Sequence, residues 1–278
     1  MNSIKFTKMH GAGNNFIVLE DLDNRFKDLN LLAKVLCDRA FGIGGDGILV
    51  VKKSNTADID MVIINADGSY AAMCGNGIRC FAKYVYENGI VNKELINIGT
   101  GDGIKIARLV VKDGVASEVT IDMGMPSFEP DKIPAITDKP IINKTINIQG
   151  KDYILNTMLM GVPHTVIIDK LNNYQVEEGK LIEKLSIFPE GTNVNFCEVL
   201  NKSEIRVKTW ERGAGATLAC GTGACASVIA CNNLGLVEDK VLVHIPGGTL
   251  KIEVTTNGVS MTGPAVKVFQ GETLEMNI

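Results

Sequence analysis

The sequence has little that would tie it to a membrane, a nucleic acid or an oxidising compartment. Among its 278 residues no apolar run reaches the roughly 18 of a membrane-spanning helix, and Met1 to Lys8 lacks the apolar core of a secretion signal. Aromatic residues make up 5%, and Lys+Arg 28 against Asp+Glu 32 leaves a net charge of -4 without the basic stripe that phosphate backbones require. Nucleic-acid and membrane partners are therefore not expected, and a cytoplasmic location is. The cysteines number seven, no C-x-x-C occurs, and no signal segment accompanies them, which disfavours a disulfide framework. With three histidines (His10, His164, His244) and cysteine intervals that miss zinc-knuckle spacing, no metal site is expected. No G-K-[ST] phosphate loop is present either.

What is there is an ordinary globular composition, 45% hydrophobic and 22% charged, in a chain long enough to bury a large core without staples. Most of it consists of short β-branched runs broken by Gly, Asn and Asp. Strands are predicted at 59–64, 104–111, 115–121, 141–149, 153–158, 165–168, 193–200, 205–210, 241–245 and 250–254. Helical periodicity is confined to 29–40, 77–87, 176–185 and 222–233, three of these closed by Gly42, Gly89 and Gly235. Many strands and few helices indicate an α+β fold. The stretch from Met125-Pro126 to Pro140 reads as a connector.

The two halves resemble each other. Asn65-Ala-Asp-Gly-Ser leads to Cys74-Gly75-Asn76-Gly77, a helix and Gly89; Glu211-Arg-Gly-Ala-Gly leads to Cys220-Gly221-Thr222-Gly223, a helix and Gly235. The second set follows the first by 146 residues, with the same spacings before and after each cysteine. An internal duplication explains this most economically. Each half would place C-G-x-G at the N-terminus of its longest apolar helix.

One reading of the repeated motif is a small buried cysteine packing a glycine-rich turn. The other is chemical. A helix N-terminus offers unpaired N–H groups and a positive dipole end, which favour a thiolate, while flanking glycines let backbone amides approach an anion. Two such thiols facing each other across a cleft suit racemisation or epimerisation: one removes a proton from a stereocentre and the other delivers one to the opposite face. Converging amides would hold the substrate carboxylate as charge builds on the α-carbon. A redox or metal-responsive module, and an epimerase for a different amino acid, are the alternatives. Cys80, Cys225 and Cys231, at helical spacing, are expected to face the core.

Lys8-Met9-His10-Gly11-Ala12-Gly13-Asn14, Asn65-Ala66-Asp67-Gly68-Ser69, Cys74-Gly75-Asn76-Gly77-Ile78-Arg79-Cys80 and Glu211-Arg212-Gly213-Ala214-Gly215 with Ala219-Cys220-Gly221-Thr222-Gly223 together resemble the diaminopimelate epimerase family. The resemblance runs from the first strand to Met261-Thr262-Gly263-Pro264-Ala265. It implies a cofactor-independent isomerase interconverting LL- and meso-diaminopimelate in lysine and cell-wall precursor synthesis, acting as a homodimer. The implied fold is two pseudo-symmetric domains, each a curved, mostly antiparallel sheet around a central helix: residues 1–120 with a strand from 264–278 returning to them, and residues 121–263. The resemblance makes Cys74 and Cys220 the acid/base pair, with His164 and Glu211 beside them assisting their proton balance. It gives Asn14, Asn65, Gly75, Asn76, Asn193, Glu211, Arg212, Gly221 and Thr222 to the substrate.

Three positions depart from the family pattern. Gly47 stands where many members carry Gln, Val162 where Asn precedes Pro-His, and Ala216 where Glu commonly follows G-A-G. The two lost amides remove hydrogen bonds worth about 1 kcal/mol each, which touches affinity rather than reaction type.

Overall fold

The computed structural model describes residues 3–274. The chain divides into two compact units, one built from the segment up to Ile121 and again from Gly263 onward, the other from Asp122–Thr262. The first contains β1 (Lys5–Gly11), β2 (Asn14–Glu20), α1 (Leu29–Cys37), β3 (Gly47–Lys52), β4 (Ile59–Asn65), β5 (Tyr70–Ala71), α2 (Gly75–Glu87), β6 (Leu95–Thr100), β7 (Gly103–Lys112) and β8 (Val115–Asp122). The second contains β9 (Lys144–Ile148), β10 (Lys151–Met160), β11 (Val162–Ile168), α3 (Gly179–Glu183), β12 (Asn193–Asn201), β13 (Glu204–Glu211), β14 (Gly215–Thr217), α4 (Gly221–Asn233), β15 (Lys240–Ile245), β16 (Gly248–Thr255) and β17 (Gly258–Gly263). The last strand, β18 (Val266–Glu272), pairs antiparallel with β1.

The two units repeat one wiring. In the first, β1–β2 is antiparallel, β2–β3 parallel, β3–β4 antiparallel, β4–β6 parallel, and β6–β7 and β7–β8 antiparallel. In the second, β10–β11, β11–β12, β12–β13, β13–β15, β15–β16 and β16–β17 run through the same series. The sheet of each unit wraps its longest helix: α2 packs against β1, β2, β3, β4 and β7, and α4 against β10, β11, β12, β13, β15 and β16. A helix enclosed in this way must be apolar or self-satisfied all round. Accordingly Gly75 to Val85 are all buried in α2, as are Gly221 and Gly223 to Cys231 in α4. Cys80, Cys225 and Cys231 lie fully in these cores.

Three local expectations change. Helix α1 stops at Cys37 rather than continuing to residue 40, because the Asp38 carboxylate accepts the Ala40 and Phe41 amides and so offers the backbone a turn instead. The 176–185 segment is a 3-10 turn at Val176–Glu178 followed by the single-turn α3. The Pro-rich stretch is no free connector: Ser127 exchanges backbone hydrogen bonds with Leu159, and Ile133, Ala135 and Ile141 enter the core around Tyr153, Leu155 and Phe196. Proline removes ladder donors without removing apolar burial, so the stretch packs without forming a strand. No helix among the described residues is long and apolar enough to cross a membrane.

Candidate active site

Helices α2 and α4 begin immediately after Cys74 and Cys220, and each cysteine is its helix's N-cap with extended backbone, φ -145° and -120°. The sequence-predicted starts at residues 77 and 222 thus move back to Gly75 and Gly221, the residues directly after each extended cap, despite glycine's lower helix propensity. Extended geometry at the cap turns the side chain back over the first turn. The Gly77 amide donates to Cys74 Sγ at 3.4 Å. At Cys220 no side-chain cap hydrogen bond forms. Glycine is required at this third position: a Cβ on Gly223 would lie 2.3 Å from Asn195 Oδ1 and 3.2 Å from Cys220 Sγ.

In the first unit, half-buried Cys74 donates to Asn14 Oδ1 at 3.7 Å. Buried Asn76 reaches the same oxygen through Nδ2 at 3.3 Å, and Asn14 Nδ2 donates to Asp46 Oδ2 at 2.8 Å. Arg79, wholly buried one turn along α2, donates to Gly75 O, Asn76 Oδ1 and Pro264 O. The structure thus brings Cys74, Gly75, Asn76 and Asn14 together. Asn65 holds its own turn, its Nδ2 donating to Ser69 Oγ at 3.0 Å.

In the second unit, Cys220 is buried and hydrogen-bonds Glu211. Burial, then the neighbouring Glu211 charge, push its thiol well above the ordinary range, opposed by contacts to Thr222 and the Gly223 amide. Burial raises the Glu211 carboxyl as well, against the hydrogen bonds from Thr217 and Cys220. Thr217 Oγ1 donates to Glu211 Oε1 at 2.6 Å, and Thr222 Oγ1 lies 3.6 Å from Cys220 Sγ. Gly221 opens α4 beside them. Asn193 Oδ1 accepts the Arg212 amide at 2.8 Å, while the Arg212 guanidinium reaches out to Glu190 O.

His164 is fully buried, with Nδ1 3.2 Å from Asn195 Nδ2 and Nε2 3.5 Å from Asn193 Nδ2. Burial and then the Arg212 charge lower its pKa to about 3, so the ring is neutral at any physiological pH. Its partners are amides rather than Cys220.

Asp46, Arg79, Asn195 and Thr217 carry contacts in these networks and have no role in the sequence reading. Arg79 stood in plain view inside C-G-N-G-I-R-C. Asp46 and Asn195 carried no signal beyond their type, since an isolated polar residue has no periodicity.

A family model described as "Diaminopimelate epimerase" matches residues 6–129 and 156–268. A curated diaminopimelate epimerase of Clostridium perfringens (strain 13 / Type A) is 52% identical over 269 residues, covering 96% of this chain and 98% of its own. One of Caldanaerobacter subterraneus subsp. tengcongensis is 48% identical over 273 residues, covering 97% and 99%. Among solved structures, a hydroxyproline epimerase from Agrobacterium vitis with bound trans-4-OH-L-proline aligns over 98% of this chain and 92% of its own at TM-score 0.73 and 16% identity. A Bacillus anthracis protein of the PhzF phenazine biosynthesis family aligns over 99% and 100% at TM-score 0.74 and 14% identity. These two share the fold.

Proposed function

The chain belongs to the diaminopimelate epimerase family, and from that membership we propose that it interconverts LL-2,6-diaminopimelate and meso-diaminopimelate by a two-base, cofactor-independent mechanism, with Cys74 and Cys220 as acid and base. The observation that carries the reading is the repeated placement of a cysteine as N-cap of each unit's enclosed helix. Inversion at a carbon needs a base on one face and an acid on the other, and each unit supplies one thiol.

The roles divide by chemistry. Glu211 accepts from Cys220 and is the group able to take its proton, leaving a thiolate for the substrate α-hydrogen. The amides of the C-G-x-G turns, at Gly75, Asn76, Gly221 and Thr222, bind the α-carboxylate as its charge grows. Asn14, Asn65, Asn193 and Arg212 hold the remaining amino and carboxylate groups. His164, neutral, keeps Asn193 and Asn195 in register rather than exchanging protons.

The resemblance also supports a homodimer working in the cytoplasm, which sedimentation and fractionation test. For the reaction, Cys74→Ala and Cys220→Ala are each expected to abolish stereoisomer interconversion, followed together with α-hydrogen exchange in deuterium oxide. Near-normal turnover from either variant refutes the two-thiol mechanism.

A further inference from the structure

The polar contacts around Cys74 form a line with a charge at each end. Arg79 donates to Asn76 Oδ1 at 2.9 Å, Asn76 Nδ2 to Asn14 Oδ1 at 3.3 Å, and Asn14 Nδ2 to Asp46 Oδ2 at 2.8 Å. A guanidinium has donors alone and a carboxylate acceptors alone, whereas an asparagine amide has one side of each kind and can stand either way round. Each charged end therefore dictates the polarity of the amide next to it. Arg79 turns the Asn76 oxygen toward itself, which presents Nδ2 to Asn14. Asp46 turns the Asn14 nitrogen toward itself, which presents Oδ1 to Asn76 and to the Cys74 thiol at 3.7 Å.

We propose that Asp46 and Arg79 are positioning residues that fix, from opposite ends, the polarity of the Asn14–Asn76 amide pair so that Asn14 faces Cys74 with its acceptor and not its donor, alongside the Gly77 amide that donates to the same sulfur. The consequence is chemical. An amide oxygen accepts from the S–H and cannot take its proton, so this contact favours the thiol over the thiolate. A reversed Asn14 would point an N–H at the sulfur and favour thiolate. Cys220 differs, since its acceptor is a carboxylate. The proposal rests on the reading of Cys74 as an acid/base group.

Either end alone still orients Asn14, so the two act redundantly, and this gives a signature that lost packing does not. The measurement is the rate of iodoacetamide alkylation at Cys74, read by peptide mass mapping with Cys220 as internal reference. Asp46→Ala and Arg79→Met singly are expected to change it less than about threefold, and the double variant to raise it about tenfold, the scale of one reversed hydrogen bond. Direct charge effects would move the two singles in opposite directions and cancel in the double. Arg79→Lys, which keeps a donor for Asn76, is expected to return the Asp46→Ala background to the single-variant rate. Should the buried Arg79→Met fail to fold, Asn76→Ala combined with Asp46→Ala severs the same link without changing charge at that end. A double variant that equals the product of its singles, or that stays within threefold of wild type, overturns the proposal. Wild-type protein that alkylates as described but does not epimerise diaminopimelate refutes the function and leaves this result standing.

Discussion

At the scale of single residues, the two thiols are set apart by what accepts from them. Glu211→Gln retains a hydrogen-bond partner for Cys220 and removes the proton acceptance proposed for the carboxylate. We expect kcat to fall by about a hundredfold or more, the usual worth of a positioned base, with a smaller change in KM. Gly223→Ala forces a methyl group into the space held by Asn195 and Cys220, and should cost about 1–3 kcal/mol along with most of the activity. A denaturant titration and a kinetic assay of the same variant read both. His164 yields a pH prediction whose sign follows from its burial. The folded ring, with pKa about 3 against an ordinary 6.5, refuses a proton that the unfolded chain accepts. Its contribution to stability is therefore complete above the ordinary pKa and is lost as pH falls toward the folded one, by at most about 1.4 kcal/mol per pH unit. His164→Gln should flatten that acid limb, measured as unfolding free energy against pH.

At the scale of elements, the repeat offset maps onto the structure position by position. Asn65 and Glu211 both end the strand facing the unit's parallel pair, where they stand opposite Gly47 and one residue beyond the Val194–Trp210 pair respectively. Gly47 is thus the first-unit counterpart of Asn193, and it has no room for the side chain: a Cβ there would meet Ile64 O at 2.7 Å. The departure at Gly47 is built into the strand packing. Both cysteine-headed helices were legible because glycine, cysteine and helix length recur together. Strands β7, β8, β12, β13, β15 and β16 were legible because polar and apolar residues alternate along them. The strands β2 and β3 were not, since Phe16 to Leu19 and Ile48 to Val51 are buried on both faces and leave no alternation to read. The site's amide and carboxylate neighbours were hidden for another reason: Asp46 meets Asn14, and Asn195 meets His164, only after parallel strands are paired across long sequence intervals. The remaining cysteines serve packing. Cys197 on β12 and Cys231 on α4 bring their sulfurs within 3.6 Å in a fully buried contact. Cys197→Ala and Cys231→Ala should each lose about 1 kcal/mol of stability and keep wild-type kcat, measured by denaturant midpoint and turnover.

At the scale of the whole molecule, the first unit is discontinuous and the second is not. The first depends on β18 for a partner to β1, from Lys5↔Glu272 to His10↔Val266, and on Pro264 O as an acceptor for buried Arg79. Ending the chain before Gly263 should therefore expose the β1 edge, remove the Pro264 acceptor from Arg79 Nε and abolish activity, while the circular-dichroism signal of the second unit persists. Cooperative loss of both units on that truncation would show that the contiguous one has no stability of its own. The same discontinuity sets an order for synthesis on the ribosome. Domains ordinarily fold in the order in which they emerge. Here the segment that leaves first cannot close its sheet until Val266–Glu272 has followed Asp122–Thr262 out of the exit tunnel. The earlier-made half thus waits through the synthesis of the whole second unit with β1 unpaired on one edge, the stretch of its life in which a chaperone or a second nascent chain has most to grip.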